Sequence, residues 1–172
     1  MNAFPAMKTL LFMLLALSLH AESLVTLNVE PSKEHPRNSE GSFATLASGR
    51  VIFIYSQFYG GNGDESPARL VKIHSDDQGR TWSAPVTVVE NTGGNNVMSV
   101  SLLRMANGDL GLFYLLRFSW HEMRMWLQRS SDDGRTWGEP INCMPAGGYY
   151  VVNNDRVIRL KSGRIVIPAA RH

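Results

Sequence analysis

The chain has 172 residues, 44% of them hydrophobic and 19% charged, with a formal charge of +2. Seventeen basic against 15 acidic residues exclude an extended cationic surface for nucleic acid or anionic lipid, and a single cysteine, Cys143, excludes an internal disulfide. The composition is globular, with no low-complexity stretch.

In chain order, Lys8 precedes an apolar run from Thr9 to Leu19, and Ala21 follows as a small residue suited to cleavage. Charge, short apolar core and small residue predict a secretory signal peptide over 1–21 and a mature chain from 22. The run is too short to span a bilayer comfortably, so no membrane span is expected after cleavage. The predicted location is secreted or periplasmic, of the bacterial type. Leu24 to Val29 reads as a first strand, and Pro31 to Asn38 as a polar link bounded by prolines.

Two repeats then organise the rest. Phe43 to Phe53, Leu102 to Leu112 and Val157 to Ile167 share one layout, two β-type runs around the turn glycines Gly49, Gly108 and Gly163. Between them, Ser75-Asp76-Asp77-Gln78-Gly79-Arg80-Thr81-Trp82 recurs 55 positions later as Ser130-Ser131-Asp132-Asp133-Gly134-Arg135-Thr136-Trp137. Each unit reads strand, turn, strand, loop, strand, turn, strand. Four antiparallel strands per roughly 50 residues predict a propeller blade. The units fall at 39–90, 98–145 and, in part, 149–172, about two and a half blades. The second strands, such as Val51 to Tyr55, are almost continuously apolar, as strands buried on both faces are.

The eight-residue repeat has the chemistry of a hairpin turn. Asp77 and Asp132 can accept backbone N–H bonds across it, and Gly79 and Gly134 can take positive φ. Ser75, Ser130, Thr81 and Thr136 supply hydroxyls, and Trp82 and Trp137 supply apolar plates for a core. Calcium ligation is disfavoured, because only two or three side-chain oxygens are offered. The five histidines lack zinc-ligand spacing, and no phosphate loop or dinucleotide fingerprint occurs, so neither metal nor cofactor is expected.

The pattern S-x-D-x-G-x-T-W resembles the Asp-box, or bacterial neuraminidase repeat, of sialidases and related β-propellers. The resemblance implies an all-β propeller, six-bladed when complete, with the boxes at the blade rim away from the active site. The expected domain is therefore the N-terminal part of such a propeller, over 22–172. A ring needs at least four blades, so the chain reads as a fragment, with self-association to close a ring as the alternative. Either way an apolar blade face and a strand edge are expected to stand open.

Site candidates follow from the same alignment. Glu40, Ser99 and Asn154 stand nine residues before the three turn glycines, and Ser42, Ser101 and Arg156 two residues further on. At the start of an innermost strand these positions would face a central pocket. The glycine-rich loop Phe58 to Pro67 carries Asp64, with Glu65 as the near alternative. Arg37 and Arg156 are suited to bidentate capture of a carboxylate, and Tyr149 to stacking on a sugar ring. Trp120, His121, Trp126 and His172 are lesser candidates.

Ser39-Glu40-Gly41-Ser42 ahead of the Gly49 turn resembles the sialidase motif whose glutamate acts as base on a tyrosine nucleophile. The resemblance also places the acid/base aspartate in a loop shortly before the first Asp-box, where Asp64 stands. No R-I-P motif occurs, and Arg37 lies two to three residues out of its register, a departure that bears on sialic acid itself as substrate. The implied function is an exported exo-glycosidase acting on an acidic or otherwise terminal carbohydrate. Asp64 is its acid/base, Glu40 its second carboxylate, and Arg37, Arg156, Asn154 and Tyr149 its substrate contacts. The tyrosine nucleophile would come from a late blade, so these 172 residues alone are expected to be inactive. A non-catalytic glycan- or protein-binding propeller, and a polysaccharide lyase on a similar fold, are the alternatives.

Overall fold

A computed structural model describes residues 27–92 and 94–172. The expected signal peptide at 1–21, and the first part of the strand expected from Leu24, lie outside the described residues. The described part is all-β. No helix long and apolar enough to cross a membrane occurs among the described residues.

The first sheet holds β1 (Arg37–Thr45), β2 (Val51–Phe58), β3 (Ala68–Ser75) and β4 (Val86–Val89), antiparallel and in chain order. The second repeats that order with β5 (Asn96–Arg104), β6 (Leu110–Arg117), β7 (Met123–Ser130) and β8 (Ile141–Asn142). Both begin two residues before the boundaries read from the repeats, because Arg37 pairs with Phe58 and Asn96 with Arg117. In the third unit β9 (Tyr150–Val151) pairs with β12 (Ala170–Arg171), and β10 (Ile158–Arg159) with β11 (Ile165–Val166). This is an interrupted hairpin, with two strand pairs of two residues each where the other units have four-stranded sheets.

The sheets stack face to face. Ile52, Ile54 and Leu70 of the first meet Val97, Val100, Leu102, Leu112 and Tyr114 of the second in one core. A second core joins Leu115, Met125 and Leu127 to Val152 and Val157 of the third unit. Every residue of β6 is buried, which is why it reads as a continuous apolar run rather than an alternating one.

A paired kink brings the starts of the innermost strands together. Between Ser39 and Ser42, and again between Met98 and Ser101, two residues drop out of the ladder. Glu40 and Ser99 take φ near 58° there, the left-handed region that side-chain-bearing residues enter rarely. In the third unit the kink residue is Asp155, φ 56°, eight residues before its turn glycine instead of nine. Asn154 is therefore not the structural counterpart of Glu40, a correction to the alignment by turn glycines.

Serines fasten each kink to the next unit. Ser42 Oγ accepts the Leu102 amide at 3.0 Å and donates to the Asp155 carboxylate at 2.8 Å. Ser101 Oγ accepts the amides of Arg156 and Val157 at 3.1 and 3.4 Å. Leu102 and Val157 occupy equivalent places in successive units, so the fastening repeats with the fold.

At the other end of the sheets stand the Asp-box hairpins. Asp77 accepts the Thr81 amide at 2.9 Å and its hydroxyl at 2.7 Å, while the Ser75 hydroxyl donates to Asp77 and accepts the Gly79 amide. Asp132, Thr136, Ser130 and Gly134 repeat every bond. Bonds from Thr81, with help from Ser75, hold the Asp77 carboxyl down at about 2, and the same contacts from Thr136 and Ser130 hold Asp132 well below the usual range. Two successive residues are left-handed in each box, Gln78 with Gly79 and Asp133 with Gly134, where the sequence had pointed to the glycine alone.

The outer face of the first sheet is partly covered by the chain that precedes β1. Leu27 and Val29 lie against Tyr55, Val71 and Ile73 as irregular chain, not as the expected strand. Phe43 stays 54% exposed, its ring stacked on Phe53 at 4.2 Å. Part of this apolar face is thus exposed among the described residues.

Candidate functional site

Arg37 sits at the first position of β1, its guanidinium 4.4 Å above the Phe58 ring on the neighbouring strand. From there it reaches both candidate carboxylates. Nη2 meets Glu40 Oε1 at 2.9 Å and Nη1 meets Asp64 Oδ1 at 2.5 Å, while Nε donates to Ser39 Oγ at 2.9 Å. One arginine therefore joins the kink of β1 to the loop between β2 and β3, twenty-seven positions along the chain.

Glu40 also spans the seam between sheets. Its Oε2 accepts the Ser99 amide at 3.1 Å and the Ser99 hydroxyl at 2.9 Å. The left-handed backbone at Glu40 aims the carboxylate at the matching kink of the second sheet. Asp64 is placed by its backbone. Its carbonyl accepts Arg117 Nη1 at 2.8 Å and also the Asn96 side-chain amide, both from the second sheet, while its carboxylate stays 71% exposed.

Arg117 is 3% exposed and ends the fully buried strand β6. Its guanidinium lies 4.2 Å from the Trp120 ring and 5.6 Å from the Tyr149 ring, and its Nε has no hydrogen-bond partner among the described residues. Tyr149 is held to the second sheet by a bridge to Met123. Glu40, Asp64, Ser99, Arg117, Tyr149 and Asn154 line one hollow of about 320 Å³. The Asn154 amide donates to the Gly41 carbonyl at 3.3 Å across the seam.

The structure thus brings together Glu40, Asp64, Arg37, Tyr149 and Asn154. Arg156 is set apart: it lines a neighbouring hollow with Val151, Asn153 and Pro168. Trp120 is 65% exposed beside the site, His172 stands edge-on to Tyr149, and Trp126 packs on the inter-sheet core instead. Arg117 and Asn96 were missed by sequence reasoning. The signal for Arg117 was present, since a lone arginine closing the apolar run Leu110–Leu116 needs a polar destination. Asn96 carries no such mark.

Chemically, the hollow offers two carboxylates gripped by one arginine, a second buried guanidinium, and an aromatic wall. Such groups can hydrogen-bond to, pair with or stack on a polar ligand. A family model, the BNR repeat-like domain, matches residues 54–172, more than half of the chain.

The chain belongs to the BNR repeat-like domain family.

Solved structures agree with a sialidase-type propeller fold for this BNR repeat protein. A Hadza microbial sialidase is 18% identical, with a TM-score of 0.66 over 80% of this chain and 33% of that one. The NanB sialidase of Streptococcus pneumoniae is 12% identical, with a TM-score of 0.64 over 86% of this chain and 43% of that one. A polysaccharide lyase, an ulvan lyase bound to -[GlcA(1-4)Rha3S]-, is 16% identical, with a TM-score of 0.55 over 77% and 32%. At these identities the likeness shows the fold alone. The BNR repeat chain spans less than half the length of each of these three structures. A search of curated proteins gives no match.

Proposed function

We propose that the hollow at the kinked strand ends is the site of an exported glycosidase acting on a terminal acidic sugar. The observation that carries this reading is the Arg37 clamp, which holds Glu40 and Asp64, far apart in sequence, on one concave surface. Paired carboxylates about the scissile bond are the general requirement for glycoside hydrolysis. Asp64, exposed and paired with Arg37 at its carboxylate and anchored at its carbonyl, serves as general acid. Glu40 is the second carboxylate. Arg117, a buried cation without a carboxylate partner among the described residues, receives the acidic group, and Tyr149 stacks on the ring. Two of the structural neighbours, a sialidase complexed with sialic acid and the ulvan lyase with its glucuronate-bearing ligand, carry acidic sugars, which supports this class of ligand.

The sialidase route also uses a tyrosine nucleophile beside the glutamate. Among the described residues the hydrogen-bond partners of Glu40 are Arg37 and Ser99. We therefore expect these 172 residues to bind an acidic monosaccharide without turning it over. Calorimetric titration with sialic acid and with glucuronate tests this. Saturable binding that weakens at least about tenfold in Arg117→Leu and in Tyr149→Ala supports the site. Absence of binding by both sugars would overturn it. Turnover belongs to a longer chain carrying the same site, where Asp64→Asn should abolish it. Appearance of an unsaturated uronide in that assay would instead favour the lyase.

One observation favours a non-catalytic binding propeller. Glu40 already accepts bonds from Arg37 Nη2, the Ser99 amide and the Ser99 hydroxyl, and so acts as an inter-sheet clamp. Under that reading sugar binding survives in Asp64→Asn and no longer chain turns over any glycoside.

A further inference from the structure

The Asp-box ends of the same two sheets enclose a second hollow, of about 250 Å³, at the far end of the strands from Glu40. Arg50, Lys72, His74 and Asp76 of the first sheet line it, with Asp133 and Arg135 of the second Asp-box, over a floor that includes Ile52.

Its charges do not cancel. Asp76 is committed to Arg50 through two bonds, at 2.6 and 2.9 Å, and Asp133 is committed to Arg104 at 2.7 Å. Lys72 is half-buried and spends one of its three donors on the Gly134 carbonyl at 2.5 Å. Neither Lys72 nor Arg135 has a carboxylate in ion-pair range among the described residues. Burial, and then the nearby Arg50, push the Lys72 ammonium below its ordinary range, against a smaller opposing pull from the Asp132 carboxylate.

The fold does not impose this arrangement. One Asp-box later the position of Lys72 is Leu127, that of His74 is Arg129, and the place of Arg50 is taken by Asp109. There Arg129 and Asp109 simply pair, at 2.5 Å. The uncompensated cations belong to the first seam.

We propose that this hollow is an oxyanion-binding site, with Lys72 and Arg135 as its principal ligands and the carboxylate group of an acidic saccharide, or a free inorganic oxyanion, as its occupant. An ammonium presents movable point donors and a guanidinium a planar fork, so together they enclose a tetrahedral or trigonal oxyanion. The volume admits one small acidic ring. The site is separate from the hollow around Arg117 and does not depend on its proposed function.

Titration of the full chain with sodium sulfate and with glucuronate, against sodium chloride at matched ionic strength, tests the site. The Arg117→Leu background keeps the other hollow out of the reading. Saturable binding is expected, weakened roughly tenfold or more in Lys72→Met and in Arg135→Ser. Arg135 is exposed, so its replacement leaves folding intact and keeps the test decisive even if Lys72→Met fails to fold. Tighter binding of glucuronate assigns the saccharide, and equal or tighter binding of sulfate assigns the free ion. The proposal is overturned if neither anion binds above chloride, or if Arg135→Ser binds as the parent does.

Discussion

Arg117 Nη1 donates a 2.8 Å hydrogen bond to the backbone carbonyl of Asp64, so the second sheet positions a loop of the first. Asn96, at the start of β5, donates to the same carbonyl and to that of Ser66. A glycine-rich loop is mobile by default, and these two side chains oppose that freedom. The candidate acid is thus held at its backbone by the second sheet and at its exposed carboxylate by Arg37.

Arg117→Leu should therefore loosen the loop before it loosens the sheets. A charge-assisted bond to a carbonyl is worth about 1.5–3 kcal/mol, so amide exchange across residues 60–66 should rise by roughly tenfold or more. Hydrogen exchange read by mass spectrometry separates this from global loss, since β6 and β7 amides should change less. Equal acceleration everywhere would mean that Arg117 supports the core and not the loop.

Gly41 has a packing requirement of its own. A Cβ there would strike the Phe53 ring and lie 2.9 Å from the Ile54 carbonyl oxygen, which is backbone and cannot swing aside. Gly41→Ala is expected to destabilise by about 1–3 kcal/mol, the usual cost of overpacking. Urea unfolding measures it. A neutral result would show that the kink at Glu40 relaxes easily.

The serine fastenings give a paired test. Ser101→Ala removes the acceptor of the buried Val157 amide, and Ser42→Ala that of Leu102. Each substitution should cost about 1–3 kcal/mol, the penalty for an unsatisfied buried donor. Ser101→Ala should in addition expose the third unit, read as faster exchange of residues 150–158.

The Asp-boxes predict an acid dependence. The folded Asp77 carboxyl titrates at about 2, below its ordinary 3.8, so its stabilising contribution is complete above about pH 4. That contribution is lost as pH falls from there toward 2. Asp132 is shifted in the same direction and further, so its part persists to lower pH. In Asp77→Asn the fall in stability between pH 4 and 2, followed by denaturant midpoints, should be shallower than in the parent. An unchanged slope would place the acid sensitivity elsewhere.

What could be read from residues alone was whatever lies within one turn or one strand. Ser75, Asp77, Gly79 and Thr81 bond to each other over a few positions, so their order in the chain nearly specifies the hairpin. The burial of β6 followed from its composition, and the place of Glu40 at the start of an innermost strand followed from the repeat, while the kink there did not. Contacts across the seams had no such local record. Glu40 meeting Ser99, Arg117 reaching the Asp64 carbonyl, and Lys72 reaching Gly134 all depend on how twisted sheets stack. The repeat aligned units only to within a residue, and a kink moved by one position put Asp155, not Asn154, at the third strand start. Arg156, one place further on, turns toward a different hollow. A strand alternates its side chains every residue, so a shift of one position reassigns a side chain from one face to the other, and only the packed structure decides which.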